Sequence, residues 1–143
     1  MIERIRKSMD EKDRGFTLIE LLVVMIIIGI LAAIAIPIFM NQRRKAVDSA
    51  ATSDVSTIGK EIATFYVDAE ADAEVTAAIV GDRYEVDGED IGAVSNSLSN
   101  PVIAQTFGDP ASTTWCVSIT YEGGTNDVVS YSAESGLEND GGC

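Results

Sequence analysis

The chain has 143 residues, the length of about one domain. Ten Lys and Arg stand against 23 Asp and Glu, a formal net charge of −13, and there is no His. That excludes a His-based triad, a His-bearing zinc site and a His general base, and two cysteines are too few for an all-Cys zinc site. The negative charge opposes direct nucleic-acid binding, which needs clustered Lys and Arg against phosphate.

The charge is divided unevenly. Residues 1–15 carry five basic and four acidic side chains, and residues 16–40 carry one charge, Glu20. Beyond residue 46, only Lys60 and Arg83 oppose 18 carboxylates. A chain divided in this way is addressed to a membrane and exposes an acidic part.

Leu21 to Met40 reads LLVVMIIIGILAAIAIPIFM, without a charge. As a helix it spans roughly 30 Å, the thickness of a bilayer core. It exceeds the roughly 7–15 residues of a signal-peptide hydrophobic region. Ala33-Ile34-Ala35 nevertheless fits the small-x-small cleavage pattern of an ordinary signal, which keeps an exported domain cut after Ala35 as an alternative. Five basic residues precede the span (Arg4, Arg6, Lys7, Lys12, Arg14) and three follow it (Arg43, Arg44, Lys45), which favours a cytoplasmic N-terminus. Glu20 is out of place there, since a carboxylate in hydrocarbon is costly and calls for a partner. No cation lies within the span. The residue one helical turn upstream is Phe16, and its nitrogen becomes an amine only if the chain is cut after Gly15.

The junction Lys12-Asp13-Arg14-Gly15-Phe16-Thr17-Leu18-Ile19-Glu20-Leu21 resembles the class III signal of type IV pilins and related pseudopilins. The resemblance covers residues 1 to about 45. It implies a prepilin peptidase that cuts between Gly15 and Phe16 and N-methylates Phe16. It also implies an assembly role for Phe16 and Glu20, in which the new amine of one subunit pairs with Glu20 of its neighbour. Gly29 and Pro37 match positions where pilins loosen their helix. Pro37 cannot donate to the carbonyl of Ala33 and Gly29 adds freedom, although both residues are also common in membrane helices. The partners implied are further copies in a helical homopolymer, the peptidase and methyltransferase, an assembly platform with its ATPase, and membrane lipid before assembly. No cofactor and no metal is implied.

After Met40 the pattern turns amphipathic. Val47, Ala51, Val55, Ile58, Ile62 and Phe65 recur every three or four residues, one apolar stripe on a helix, with Asp48, Asp54, Lys60 and Glu61 mainly off it. No proline falls between 38 and 100, so one helix is expected from about Phe16 to about Asp68. Its stripe packs on a head, or less readily forms a short coiled-coil seam. Asn41 to Lys45 suits a membrane surface. Ala69 to Glu74 is the frayed helix end or the loop after it.

Residues 75–143 read as β. Val75–Val80 and Arg83–Asp87 flank the hairpin signal Gly81-Asp82, and Asp87-Gly88 marks a further turn. Residues 90–110 read as a long connection with a short strand near Val102. Thr114–Tyr121 alternates with period two, with Trp115, Val117, Ile119 and Tyr121 on the core face. Gly123-Gly124 turns the chain into a strand carrying Val129, Tyr131 and Ala133. The expected fold class is α+β, a long N-terminal helix on a small antiparallel β head. The expected segments are a leader over 1–15, a membrane and filament-core half-helix over 16–40, an exposed amphipathic half over 41–70, and the head over 71–143.

Cys116 and the C-terminal Cys143, which follows the flexible Gly141-Gly142, either form a disulfide or are free thiols. An exported head favours the disulfide. Pilins commonly close a C-terminal loop in this way. Here the loop has 28 residues and is worth roughly 3–4 kcal/mol by loop entropy. Because Cys116 alternates away from Trp115, the tail is expected to cross the non-core side of the sheet. Asp82, Glu85, Asp87, Glu89 and Asp90 do not follow the calcium-loop spacing and read as solvated charge.

No nucleophile–base pair points to an enzyme. The expected function is a structural one, the major subunit of a type IV pilus. The precursor spans the bacterial cytoplasmic membrane once with its head outside, and the assembled fibre is extracellular. The alternatives are a pseudopilin of a type II secretion or DNA-uptake system and, in a different class, an exported or single-pass anchored domain.

Overall fold

The computed structural model describes residues 15–143; the expected leader, save Gly15, lies outside them. The chain divides into two units, one ending at Met40 and one running from Asn41 to Cys143. Helix α1 covers Leu18–Asp68, within two residues of the expected start and ending where expected. Pro37 lies inside it without ending it.

Through Met40 the helix is apolar on every face and almost wholly exposed, with Phe16 84% and Leu18 89% accessible just at its start. It is long and apolar enough to cross a membrane. All-round apolarity of this kind belongs to a helix covered by lipid or by other helices.

From Val47 the pattern changes to a one-sided stripe. Val47, Ala51, Val55, Ile58 and Ile62 are buried, and Phe65 packs against the same core. The stripe therefore packs on its own head and is not a coiled-coil seam.

The head holds β1 (Ala77–Val80), β2 (Arg83–Val86), β3 (Glu89–Ala93) and β4 (Ser99–Thr106), then a four-residue helix α2 (Ala111–Thr114). Strands β5 (Cys116–Glu122), β6 (Val128–Ser132) and β7 (Gly136–Asn139) follow. They form two antiparallel meanders, β1-β2-β3 and β4-β5-β6-β7. The hairpins at Gly81-Asp82, Asp87-Gly88 and Gly123-Gly124 stand where the turn residues put them, with φ of 66°, 79° and 90° at Gly81, Gly88 and Gly123.

Residues 90–110 are a correction. In place of a long connection with a short strand near Val102, they hold most of β3 and the eight-residue β4, of which Val102 is part. Pro101 argues against a central strand, but β4 pairs only with β5 and lies at the edge of its sheet, where proline is tolerated. The Gln105 side chain links the two sheets, accepting from the Ala77 amide at 2.8 Å and donating to the Val75 carbonyl at 3.4 Å. Thr114 belongs to α2 and not to the strand, and β7 was not foreseen.

The core face of β5 is as its alternation indicated. Trp115, Val117, Ile119 and Tyr121 are buried with Val129 against the helix stripe. Trp115 and Tyr131 stack at 5.9 Å between ring centroids.

Candidate functional site

The start of α1 is the first place where the expected site residues gather. Thr17 donates from its backbone N–H to Glu20 Oε2 at 2.8 Å and from its hydroxyl to the same oxygen at 2.8 Å. In return, the Glu20 amide donates to Thr17 Oγ1 at 3.2 Å. This is a reciprocal capping box, which satisfies amides that a helix N-terminus otherwise leaves open. Thr-x-x-Glu before an apolar run is its sequence signature, so the partner was legible and was missed. Glu20 thus has partners within its own chain. Both Thr17 contacts use Oε2, and among the described residues nothing donates to Oε1.

Gly15 and Phe16 precede the helix and are exposed. A Cβ at Gly15 or at Gly29 would meet nothing within 4 Å. Neither glycine is explained by packing inside the described residues.

The second place is the face of α1 that meets the head. Asp48 and Asp54 were expected off the stripe, and the structure corrects this. Asp54 is buried and accepts from Tyr84 Oη at 2.8 Å, Ser95 N at 3.0 Å and Ser95 Oγ at 2.7 Å. Asp48 Oδ1 accepts from Tyr121 Oη at 3.0 Å and from the Thr125 and Asn126 amides at 3.0 and 3.2 Å. Six residues apart on one helix, these two carboxylates fasten one sheet each, by a tyrosine and a loop amide. Burial opposes the charge on Asp48, but the two amides and the hydroxyl outweigh it and hold its pKa below the ordinary value. Burial, reinforced by the facing carboxylate, pushes the Tyr84 and Tyr121 hydroxyls well above theirs.

The third place is the C-terminus. Cys116 and Cys143 are joined by a disulfide, 27 residues apart in sequence with Cα atoms 5.6 Å apart. Asp140 N donates to the Val128 carbonyl at 3.2 Å, which brings the tail alongside β6. Ser118 and Ser130 face each other on the side of the sheet away from α1, and both are buried. A Cβ on Gly141 would stand 4.0 Å from Ser130 Oγ, so the tail lies over that side. Among the described residues no three carboxylates or thiols converge as a metal-binding group, and Asp90 is engaged by Arg83.

The family model described as the prokaryotic N-terminal methylation motif matches residues 11–36. The chain is similar to the type II secretion system core protein G of Dickeya chrysanthemi, 28% identical over 93 residues, 65% of this chain and 53% of that protein. It is similar to the type IV major pilin protein PilA of Myxococcus xanthus (strain DK1622), 49% identical over 47 residues, 33% of this chain and 21% of that one. The prepilin peptidase-dependent protein D of Escherichia coli (strain K12) is 64% identical over 36 residues, 25% of either chain. The chain thus spans about half the length, or less, of the curated relatives it matches. No solved structure matches it. Residues 11–36 carry the prokaryotic N-terminal methylation motif at the head of an α+β chain, and the proteins to which that chain is similar are pilins and pseudopilins.

Proposed function

We propose that this chain is a structural subunit of a helical polymer of the pilin and pseudopilin class. A prepilin peptidase cuts between Gly15 and Phe16 and methylates the new amine. The precursor is held in the membrane by residues 16–40 with its head on the outer side, and an assembly machine then draws it into the fibre. The observation that supports this best is the bare helix: every residue from Phe16 to Met40 is exposed or nearly so, and all but Thr17 and Glu20 are apolar, glycine or proline. Lipid covers that surface in the precursor, and identical helices cover it in the fibre.

Glu20 has a defined place in this account. The capping box holds Oε2 and leaves Oε1 open to a neighbour's Phe16 amine. An ammonium beside a carboxylate in an apolar surround interacts far more strongly than it does in water, so the pair specifies axial register. Gly29 and Pro37 are the positions at which the helix loosens as subunits pack, since among the described residues a Cβ on Gly29 meets nothing within 4 Å and Pro37 is exposed.

Different features of the chain favour two branches of the class. The similarity to core protein G runs over 93 residues, well past the methylation motif, and favours a secretion pseudopilin. The Cys116–Cys143 disulfide, a feature common in type IV pilins, favours a pilus subunit.

Intact mass and N-terminal sequencing of the mature protein test the reading. Methyl-Phe16 at the N-terminus is expected. A mature chain beginning at Met1 or Ile36 overturns it. Glu20→Ala is expected to leave insertion and cutting intact and to abolish fibres seen by electron microscopy. Normal fibres from that variant remove the role given to Glu20.

A further inference from the structure

The head is electrically lopsided along its helix. Arg43, Arg44 and Lys45 are exposed together on α1; of the two other described cations, Arg83 is held by Asp90 and Lys60 stands singly on the same helix. That pair is the only ion pair among the described residues, and within them the three-residue band has no carboxylate partner. At the other end of the same helix stand Asp68, Glu70, Asp72 and Glu74, all exposed. They sit where a helix C-terminus favours cations, yet the last turn has no basic residue.

This acidic end is a fixed feature and not a loose tail. Tyr66 donates its hydroxyl to the Ala73 carbonyl at 2.6 Å, and the Ser112 amide donates to the Ala71 carbonyl at 2.8 Å. Helical rise puts about 35 Å between Lys45 and Asp68, so the two ends of one head cannot meet.

We infer that they meet between copies: the Arg43–Lys45 band of one subunit docks on the Asp68–Glu74 segment of another. A contact between two different patches of identical subunits is heterologous, and a heterologous contact that does not close generates a filament. Complementary ends also oppose the repulsion among heads whose residues beyond 46 carry 18 carboxylates against two cations. The inference rests on the polymer reading and adds the surface by which exposed heads stack.

Carbodiimide cross-linking of fibres made from the full chain tests it, because the reagent joins an amine to a carboxylate only in direct contact. Mass spectrometry is expected to find Lys45 joined to one of Asp68, Glu70, Asp72 or Glu74. The 35 Å estimated above makes any such link intermolecular. The variant Arg43→Glu/Arg44→Glu/Lys45→Glu is expected to reduce assembled fibre about tenfold or more. Adding Glu70→Lys/Asp72→Lys/Glu74→Lys is expected to restore it. All six positions are exposed, so neither variant disturbs the core. Fibres that tolerate the first reversal, or that link Lys45 only to other carboxylates, overturn the pairing while leaving the polymer reading intact. Loss without rescue by the second reversal overturns it too and assigns the band to lipid headgroups. Absence of any fibre from the unaltered chain ends both readings.

Discussion

Tyr84 donates its hydroxyl to Asp54 Oδ2 at 2.8 Å inside the core of the head. Ser95 supplies two more donors to the same carboxylate, so one helix side chain holds both β2 and the segment after β3. A carboxylate is costly to bury, and three donors offset that cost. Replacing it strands the donors instead. Asp54→Ala is expected to destabilise the head by about 2–3 kcal/mol and Tyr84→Phe by about 1–2 kcal/mol. Urea unfolding of the full chain in detergent, read as a shift of midpoint at constant slope, measures both. A midpoint unmoved in Asp54→Ala would show that the cluster adds nothing.

Asp48 makes stability depend on acid. Its folded pKa lies below the usual 3.8, so the unfolded chain takes up a proton at a higher pH than the folded one. The contribution is complete above the unfolded value and is lost as pH falls through the folded one. The urea midpoint is therefore expected to lose this contribution only below about pH 4. Asp48→Asn should flatten that acid limb. Equal steepness in the two proteins would place the acid sensitivity at other carboxylates.

Gly59 lies in the buried stripe of α1, and a Cβ built there would come within 2.5 Å of the Tyr131 ring. Alanine is the better helix former by about 1 kcal/mol. Overpacking of a tight core typically costs about 1–3 kcal/mol, so Gly59→Ala is expected to destabilise the head despite its propensity. Gly29→Ala, which meets nothing, is the control and should leave head unfolding unchanged. A raised melting temperature for Gly59→Ala would mean that the Tyr131 ring moves aside freely.

Cys116–Cys143 closes the chain over β5 and β6. Removing the bond with Cys143→Ser is expected to cost roughly 3–4 kcal/mol in loop entropy. It should also let the tail lift from Ser118 and Ser130. Faster amide exchange at those two residues, together with a lower urea midpoint, is the expected signature. Unchanged exchange would show that the tail stays in place without the bond.

Long-period features could be read directly from the residues. The apolar run, its lone carboxylate, the stripe from Val47 to Phe65 and the alternation of Trp115 to Tyr121 all appear in α1 and β5 as expected. These patterns are local, since each residue's role follows from neighbours two to four positions away. Of β4 only a short strand near Val102 could be read, because Pro101 and the Ser and Asn residues before it are turn signals that only an edge position neutralises. The Thr17–Glu20 box is equally local, but a lone carboxylate beside an apolar run points first to a partner from another subunit.

The sequence by itself determined that one half of the helix is apolar all round, that the other half is one-sided, and that the charge is acidic beyond residue 46. Composition and periodicity suffice for that, because solvent preference acts on each segment separately. Only the tertiary structure decided that Asp48 and Asp54 face inward and that the strands split into two sheets. It also decided that Gly59 is kept small by a ring 72 positions away. A carboxylate or a missing Cβ becomes favourable in a core only when specific donors or a specific ring arrive from distant chain, and no local pattern carries that pairing.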